Sequence, residues 1–285
     1  MKLGDLTIQN LSPVVKGRPL TKARRLSLKG TIDNNKTIKI FECASDNHAT
    51  FVNTISNEGG LSSFLPYSYQ AYQNFVICDW VEGRTINERL PILNTKRIES
   101  FFVQSQSVLK LLHATYAPKD CGFDYLEDFI VPRFKHACDC LGLNHLKDST
   151  LDAISALSRE NKVLSHADLK PSNIVFNHNG QMIIIDNELL GCTSIPALDE
   201  INMLQGLSPA IVKSFRTPIQ QTLKNALDIV SSEQQNDLFA VWSARKIGSL
   251  FVAGKIDEIL SFSSCDIETR KQNLPLWRTL TNLSS

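Results

Sequence analysis

VLSHADLKPSNIVFNHNGQMIIIDNELLG, residues 163–191, is the stretch of this 285-residue chain from which the rest can be read. Apolar Val163-Leu164 runs into His166-Ala-Asp168, and Asn173 follows five positions after that aspartate. Ile174–Phe176 and Met182–Ile185 are short apolar runs of strand length, separated by Asn177-His-Asn-Gly180. Asn-Gly suits a tight hairpin turn, because both residues tolerate a left-handed backbone. Asp186 ends the second run, so the pattern brings Asp168, Asn173 and Asp186 to strand ends together.

That set meets the requirements of phosphoryl transfer from a nucleotide. One carboxylate must orient the attacking hydroxyl, and hard oxygen ligands must hold magnesium against the phosphates, whose charge otherwise opposes attack. Asp168 suits the first role; Asn173 and Asp186 suit the second. His-Ala-Asp-Leu-Lys-Pro-Ser-Asn resembles the catalytic loop H-x-D-x-x-x-x-N of the protein-kinase-like phosphotransferases, and Ile-Ile-Asp186 resembles their metal-binding strand end. The continuation to Gly191, Pro196 and Asp199 is most similar to the aminoglycoside phosphotransferase and choline kinase branch. The resemblance implies that His166 holds the loop and that Asp199 braces it. It also puts Lys170 where protein Ser/Thr kinases carry a phosphate-contacting lysine, so Lys170 joins Asp168 as a catalytic candidate, with a solvated lysine as the alternative. Glu188 reads as a polar loop residue, with help to metal or substrate as the other reading.

Working outward, the first eighty or so residues read as short strands, Ser12–Val15, Arg24–Leu28 and Thr37–Glu42. A helix from Asp46 follows, stopped by Gly59-Gly60, then a strand over Asn74–Asp79. The resemblance implies a strand lysine reaching the phosphates, and Thr-Ile-Lys39-Ile-Phe matches best. It also implies a hinge at about 77–83 whose backbone pairs with the nucleotide's adenine, with Asp79 as the acid often found there and Cys78 and Trp80 flanking it. The expected glycine-rich loop is missing: residues 15–21 hold Gly17 alone in its place. The helix from Asp46 contains no glutamate to pair with Lys39; Glu58 lies at its far end and Glu42 on the lysine's own strand.

Beyond the hinge the texture turns helical. Helical spacing predicts helices over Thr95–His113, Leu151–Glu160 (with caps available at Asp148, Ser149 and Thr150), Pro218–Val230 (capped by Thr217), Leu238–Phe251 and Ile256–Phe262. The expected fold class is therefore α+β, a bilobal protein-kinase-like fold. Residues 1–82 form a nucleotide-binding lobe with a small antiparallel sheet and one helix. Residues 83–285 form a larger, mostly helical catalytic lobe, with the ligand cleft between the two.

Composition narrows the function. The net charge of +1 argues against a partner held by bulk positive charge, so no nucleic-acid partner is expected. No apolar run approaches the roughly 18–20 residues that span a bilayer, so no membrane partner is expected, and the setting expected is cytoplasmic. The seven scattered cysteines are unlike a disulfide framework. Cys138 and Cys140 beside His136 lack further ligands at zinc-like spacing and read as ordinary thiols.

The cofactors implied are ATP and Mg2+. The acceptor expected is a small-molecule hydroxyl, because helical sequence follows Asp199 almost at once and leaves little chain for a peptide-docking platform. Cys121-Gly-Phe-Asp-Tyr-Leu-Glu-Asp128 reads first as a solvated loop over core aromatics, with acids and aromatics that offer a place for such an acceptor as the other reading. Two alternatives stay open. The missing helix glutamate fits a pseudokinase that recognises a partner without turnover, and Asp168-Leu-Lys170-Pro fits an atypical protein Ser/Thr kinase.

Overall fold

The computed structural model describes residues 2–14, 26–32, 35–83, 85–86, 95–114, 121–158, 162–205, 207, 215–229 and 234–274. By its contacts the chain divides into two compact units: Met1–Phe123 with Leu164–Gly191, and Asp124–Val163 with Cys192–Ser285.

The first unit opens with a two-stranded ribbon, β1 (Lys2–Leu3) and β2 (Leu6–Thr7). A five-stranded antiparallel sheet follows, formed by β3 (Gln9–Pro13), β4 (Ser27–Ile32), β5 (Lys36–Glu42), β6 (Ser68–Tyr72) and β7 (Phe75–Asp79) in the order β3-β4-β5-β7-β6. In β5 the side chains alternate between faces. Ile38 and Ile40 join Ile8, Ile32 and Ile77 in a buried cluster on one face. Lys39 and Phe41 therefore lie on the other, with Lys39 directly opposite Cys78 of β7 and Phe41 opposite Val76. Gly30 makes room for the cluster, since a Cβ there would come within 2.9 Å of the Ile8 side chain.

Helix α1 (Asp46–Asn57) packs against β6 and β7. The Ser45 hydroxyl caps it by accepting from the His48 amide at 3.1 Å. At its other end the Asn57 carboxamide clasps the backbone of Ser68, donating to the carbonyl at 2.6 Å and accepting from the amide at 3.0 Å. Helix α2 (Thr95–Ala114) buries Ile98, Phe101, Phe102, Val108, Leu109 and Leu112, the stripe its spacing predicts. Later in the chain come β8 (Val163–Ser165), β9 (Ile174–Phe176), β10 (Met182–Ile184) and β11 (Gly191–Thr193). The β9–β10 hairpin pairs Phe176 with Met182, and the Asn177 side chain accepts from the amides of Asn179 and Gln181 at 3.0 Å each to shape its turn.

The second unit is helical: a π-turn at Tyr125–Ile130, then α3 (Val131–Leu141), α4 (Asn144–Leu157), α5 (Leu198–Gln205), α6 (Arg216–Ile229), α7 (Gln234–Val252), α8 (Ile256–Ser264) and α9 (Ile267–Gln272). Helix α7 packs on α3, α4 and α8. Gly248 of α7 allows the close approach to α3, because a Cβ there would meet Arg133 at 3.0 Å.

The strand pattern emerges with shifted bounds. The expected strands Ser12–Val15 and Arg24–Leu28 become β3 and β4, and Val15, Arg24 and Arg25 lie outside the described residues. Helix α4 starts seven residues before the expected Leu151, at Asn144, because Leu146 and Thr150 extend the buried stripe of Ile154 and Leu157 backwards. The expected caps at 148–150 thus sit inside the helix. Likewise α6 begins at Arg216, which puts Thr217 in its first turn. Helix α3 was not anticipated, although Val131, Phe134, Ala137 and Cys138 recur at helical spacing around a first-turn Pro132.

The cysteines need correction. Cys121 and Cys192 are disulfide-bonded, while Cys43, Cys78, Cys138, Cys140 and Cys265 are free. A bridge made by isolated cysteines leaves no spacing pattern to read. Among the described residues no helix is long and apolar enough to cross a membrane.

Gly122 fixes how the chain returns to α1. Its φ of +67° is left-handed, and a Cβ would lie 2.4 Å from the His48 nitrogen and 2.8 Å from the Asn47 carbonyl carbon. Backbone cannot yield as a side-chain tip does, so Gly122→Ala is expected to lose about 3 kcal/mol of stability in urea unfolding, from strain plus overpacking. A loss within experimental error would show that the contact is not made.

Candidate active site

A cavity of about 300 Å³ lies within the first unit, with apolar walls from Val14, Phe41, Pro66, Cys78, Val175 and Ile185. Lys39 and Asp186 form its polar end. The Lys39 ammonium is buried, 2.5 Å from Asp186 Oδ1 and 2.9 Å from Glu188 Oε1. Burial works against this charge, but attraction from Glu188 and Asp186 outweighs it and raises the lysine's pKa. Lys39 is therefore a fixed cation facing the cavity.

Glu188 is the acid that the sequence left unassigned. Of the two glutamates considered there, Glu42 is committed elsewhere: its carboxylate accepts from the Leu26 amide at 3.0 Å and from Asn74 Nδ2 at 3.2 Å. The available signal was the acid two positions after Asp186, which this turn carries to the same lysine.

The catalytic-loop residues converge as the spacing predicts. Ala167, at φ 61°, bends the chain between His166 and Asp168. Asn173 Nδ2 donates to the Asp168 carbonyl at 3.0 Å and to its Oδ2 at 2.8 Å. Lys170 Nζ lies 2.6 Å from the same carboxylate oxygen. Asp186, two residues beyond β10, opens the following turn in a left-handed conformation (φ 62°), and its side chain is 46% exposed. The two halves are tied together by the Ile185 amide, which donates to the Asn173 carbonyl at 2.8 Å, and by His166 Nε2, 3.0 Å from Asn187 Oδ1. His166 is thus a buried brace of the loop.

These residues fit a hard divalent cation. Because Asn173 spends its Nδ2 on Asp168, its Oδ1 is the atom left to coordinate, and Asp186 keeps its second carboxylate oxygen beside the one held by Lys39. Amide and carboxylate oxygens are the donors that magnesium takes.

The hinge candidates line the same cavity. Trp80 donates its amide to the Thr37 carbonyl at 3.2 Å, and the Lys29 ammonium sits 4.3 Å over its ring. Asp79 directs its carboxylate to the Tyr69 hydroxyl and, at 3.1 Å, to Lys36. The lysine's pKa is raised by these two partners. Cys78 is buried, and burial pushes its thiol up to about 12. Gly17 lies outside the described residues. Asp199 is buried in the first turn of α5 in the second unit.

The acids of 121–128 are used locally. Asp124 Oδ1 accepts from the amides of Leu126 and Glu127, its Oδ2 pairs with Lys162 at 2.6 Å, and Asp128 accepts from the Asp124 amide at 2.8 Å.

Comparison with known proteins follows from this geometry. The sequence profile described as the phosphotransferase enzyme family matches residues 58–220, more than half of the chain and all of the candidate loop and metal-binding residues. The chain belongs to the phosphotransferase enzyme family. Among solved structures, an ethanolamine kinase from Plasmodium vivax superposes with a TM-score of 0.52 at 15% identity, over 96% of this chain and 82% of that one. A choline kinase from Streptococcus pneumoniae gives 0.52 at 10% identity, over 97% and 94%. An amicoumacin kinase solved with AMP-PNP and Ca2+ gives 0.60 at 13% identity, over 90% and 88%. At such identities the likeness is one of fold. It bears out the expected protein-kinase-like class, and the family match bears out a phosphotransferase of the aminoglycoside and choline kinase type. No curated protein sequence matches the chain.

The raised thiol of Cys78 has a measurable consequence. With a pKa of about 12, on the order of one thiol in 10⁴ is ionised at pH 8, and only the thiolate reacts. Cys140, which is exposed, is expected to react with a disulfide reagent at once, and Cys78 only after denaturation, as peptide mass spectrometry would report. Rapid labelling of Cys78 in the folded protein would contradict its place behind the cavity.

Proposed function

We propose that the protein transfers the γ-phosphate of ATP, with magnesium, to a hydroxyl of a small molecule such as an amino sugar, a choline-like alcohol or a sugar. The observation that carries this reading is the buried Lys39 cation, held by Asp186 and Glu188 at the polar end of an apolar cavity. An apolar slot suits a purine, and a fixed cation at its end suits phosphates. The kinship with ethanolamine, choline and amicoumacin kinases supports a small hydroxyl acceptor, and the AMP-PNP and Ca2+ in one of those structures support nucleotide and divalent cation.

In this reading Lys39 grips the phosphates, Cys78, Asp79 and Trp80 serve the base, and Gly17 is the further nucleotide-binding candidate. Asn173 Oδ1 and the Asp186 carboxylate hold magnesium, which when bound neutralises charge on the phosphates and the leaving oxygen. Asp168 orients the acceptor hydroxyl and takes its proton. Lys170, 2.6 Å from that carboxylate, holds it in place and lies where the transferred group passes. His166 and Asp199 support the loop. Residues 1–82 act as the nucleotide lobe, and 83–285 carry catalysis and acceptor selection. A cytoplasmic setting supplies the ATP.

The pseudokinase reading loses its motive, because Lys39 has an acidic partner in Glu188. Against a protein substrate stands the short path from Asp186 to α5, occupied by one turn and β11.

Asp168→Ala is expected to lower turnover about 10³-fold or more while changing nucleotide affinity less than about threefold, since the carboxylate acts on the hydroxyl and not on the nucleotide. An ATP-consumption screen over alcohols, sugars and amino sugars, with Asp186→Asn as the blank, identifies the acceptor and then tests the variant. Unchanged turnover in Asp168→Ala, or no thermal shift of the wild type in millimolar ATP and magnesium, would overturn the reading.

A further inference from the structure

Helix α1 supplies no acid to Lys39, yet it reaches the metal-site turn through His48. This residue is wholly buried in the first turn of the helix. Its Nδ1 lies 3.0 Å from the Ala44 amide and its Nε2 2.7 Å from the Leu190 carbonyl oxygen. An amide only donates and a carbonyl only accepts, so the ring is neutral with its proton on Nε2. The ring stacks on Phe123 at 4.6 Å and 16°. Around it the packing leaves no slack. The Ser45 hydroxyl that caps the helix also donates to the Gly122 carbonyl at 3.2 Å, and a Cβ on Gly191 would come within 2.7 Å of the Phe123 carbonyl oxygen.

The carbonyl that His48 holds closes the turn carrying the site. Leu190 donates its own amide to the Asn187 carbonyl at 3.1 Å, completing the turn that begins at Asp186. That turn is held at three places: Lys39 grips Asp186 and Glu188, His166 meets Asn187, and His48 holds Leu190. Of the three, the last alone comes from α1. We infer that His48 is a positioning residue that sets the 186–190 turn from α1, so that Asp186 and Glu188 are aligned for Lys39 and for magnesium-bound nucleotide. The inference rests on the function proposed above only in its second half, the consequence for nucleotide.

Two substitutions separate the ends of the ring. In His48→Gln the side-chain amide reaches the place of Nε2 and donates to Leu190. In His48→Asn the shorter side chain keeps an acceptor for the Ala44 amide but falls short of Leu190. Hydrogen exchange of the full, unliganded chain is expected to show peptide 186–192 exchanging at least about tenfold faster in His48→Asn, and near wild type in His48→Gln. ATP affinity is then measured with magnesium and with EDTA. His48→Asn should lose about tenfold of the gain that magnesium brings, with the EDTA value unchanged, and His48→Gln should keep the gain to within about threefold.

Unchanged exchange at 186–192 in His48→Asn overturns the inference, as do equal effects of the two variants that follow thermal stability alone. Should His48→Asn not fold, long-range ¹H–¹⁵N correlation of the wild type decides: a proton on Nε2 is required, and a proton on Nδ1 overturns the tether. A wild type that shows the exchange contrast but binds no nucleotide keeps the tether and sinks the proposed function.

Discussion

The buried ammonium of Lys39 is the constraint around which the first unit is organised. A charge withdrawn from water costs several kcal/mol unless it is paired, and pairing one partner poorly forfeits most of the return. β5 brings this charge to the inner face of the sheet because Ile38 and Ile40 claim the other face. The compensation comes from residues 186 and 188, far along the chain, so this charge ties the turn that follows the β9–β10 hairpin to the sheet. The turn is short and is therefore held from several sides. His166, the Ile185 amide and His48 each fix one point of it.

The same logic governs the other polar groups near the cavity. Asp79 is the last residue of β7, and its carboxylate is spent on Tyr69 and Lys36, which ties the end of that strand to β6 and β5. Asn173 is committed through its amide nitrogen to Asp168, so its oxygen can face one way only. The acids of 124–128 serve their own turn. With a net charge of +1, the protein offers no broad field to a ligand, and recognition falls to a few placed charges.

What could be read from the sequence follows from the range of each interaction. Asp168, Asn173 and Asp186 were legible because their convergence is local: a loop, a hairpin and fixed spacing. Helices α1 and α2 were legible because an apolar stripe between clear stop signals is also local. The pairing of Lys39 was not, since its contact with Asp186 spans 147 positions and Glu188 looks like any polar turn residue until the turn is folded. His48 carries no pattern at all; only its burial between an amide and a carbonyl gives it meaning. Bounds slipped where a stripe ran through residues that look like caps, as at Thr150, and the bridged Cys121 and Cys192 lack the paired spacing that marks a disulfide framework.

The left-handed backbone of Asp186 has one more consequence. At φ 62° the Cβ of any L-residue crowds the carbonyl that follows it, β-branched residues most of all, and glycine, asparagine and aspartate sit there with least strain. The ion pair with Lys39 asks separately for a carboxylate, which aspartate and glutamate alone supply. The two requirements, one steric and one electrostatic, intersect in a single amino acid. At position 186 the backbone angle thus favours the same residue that the charge requires.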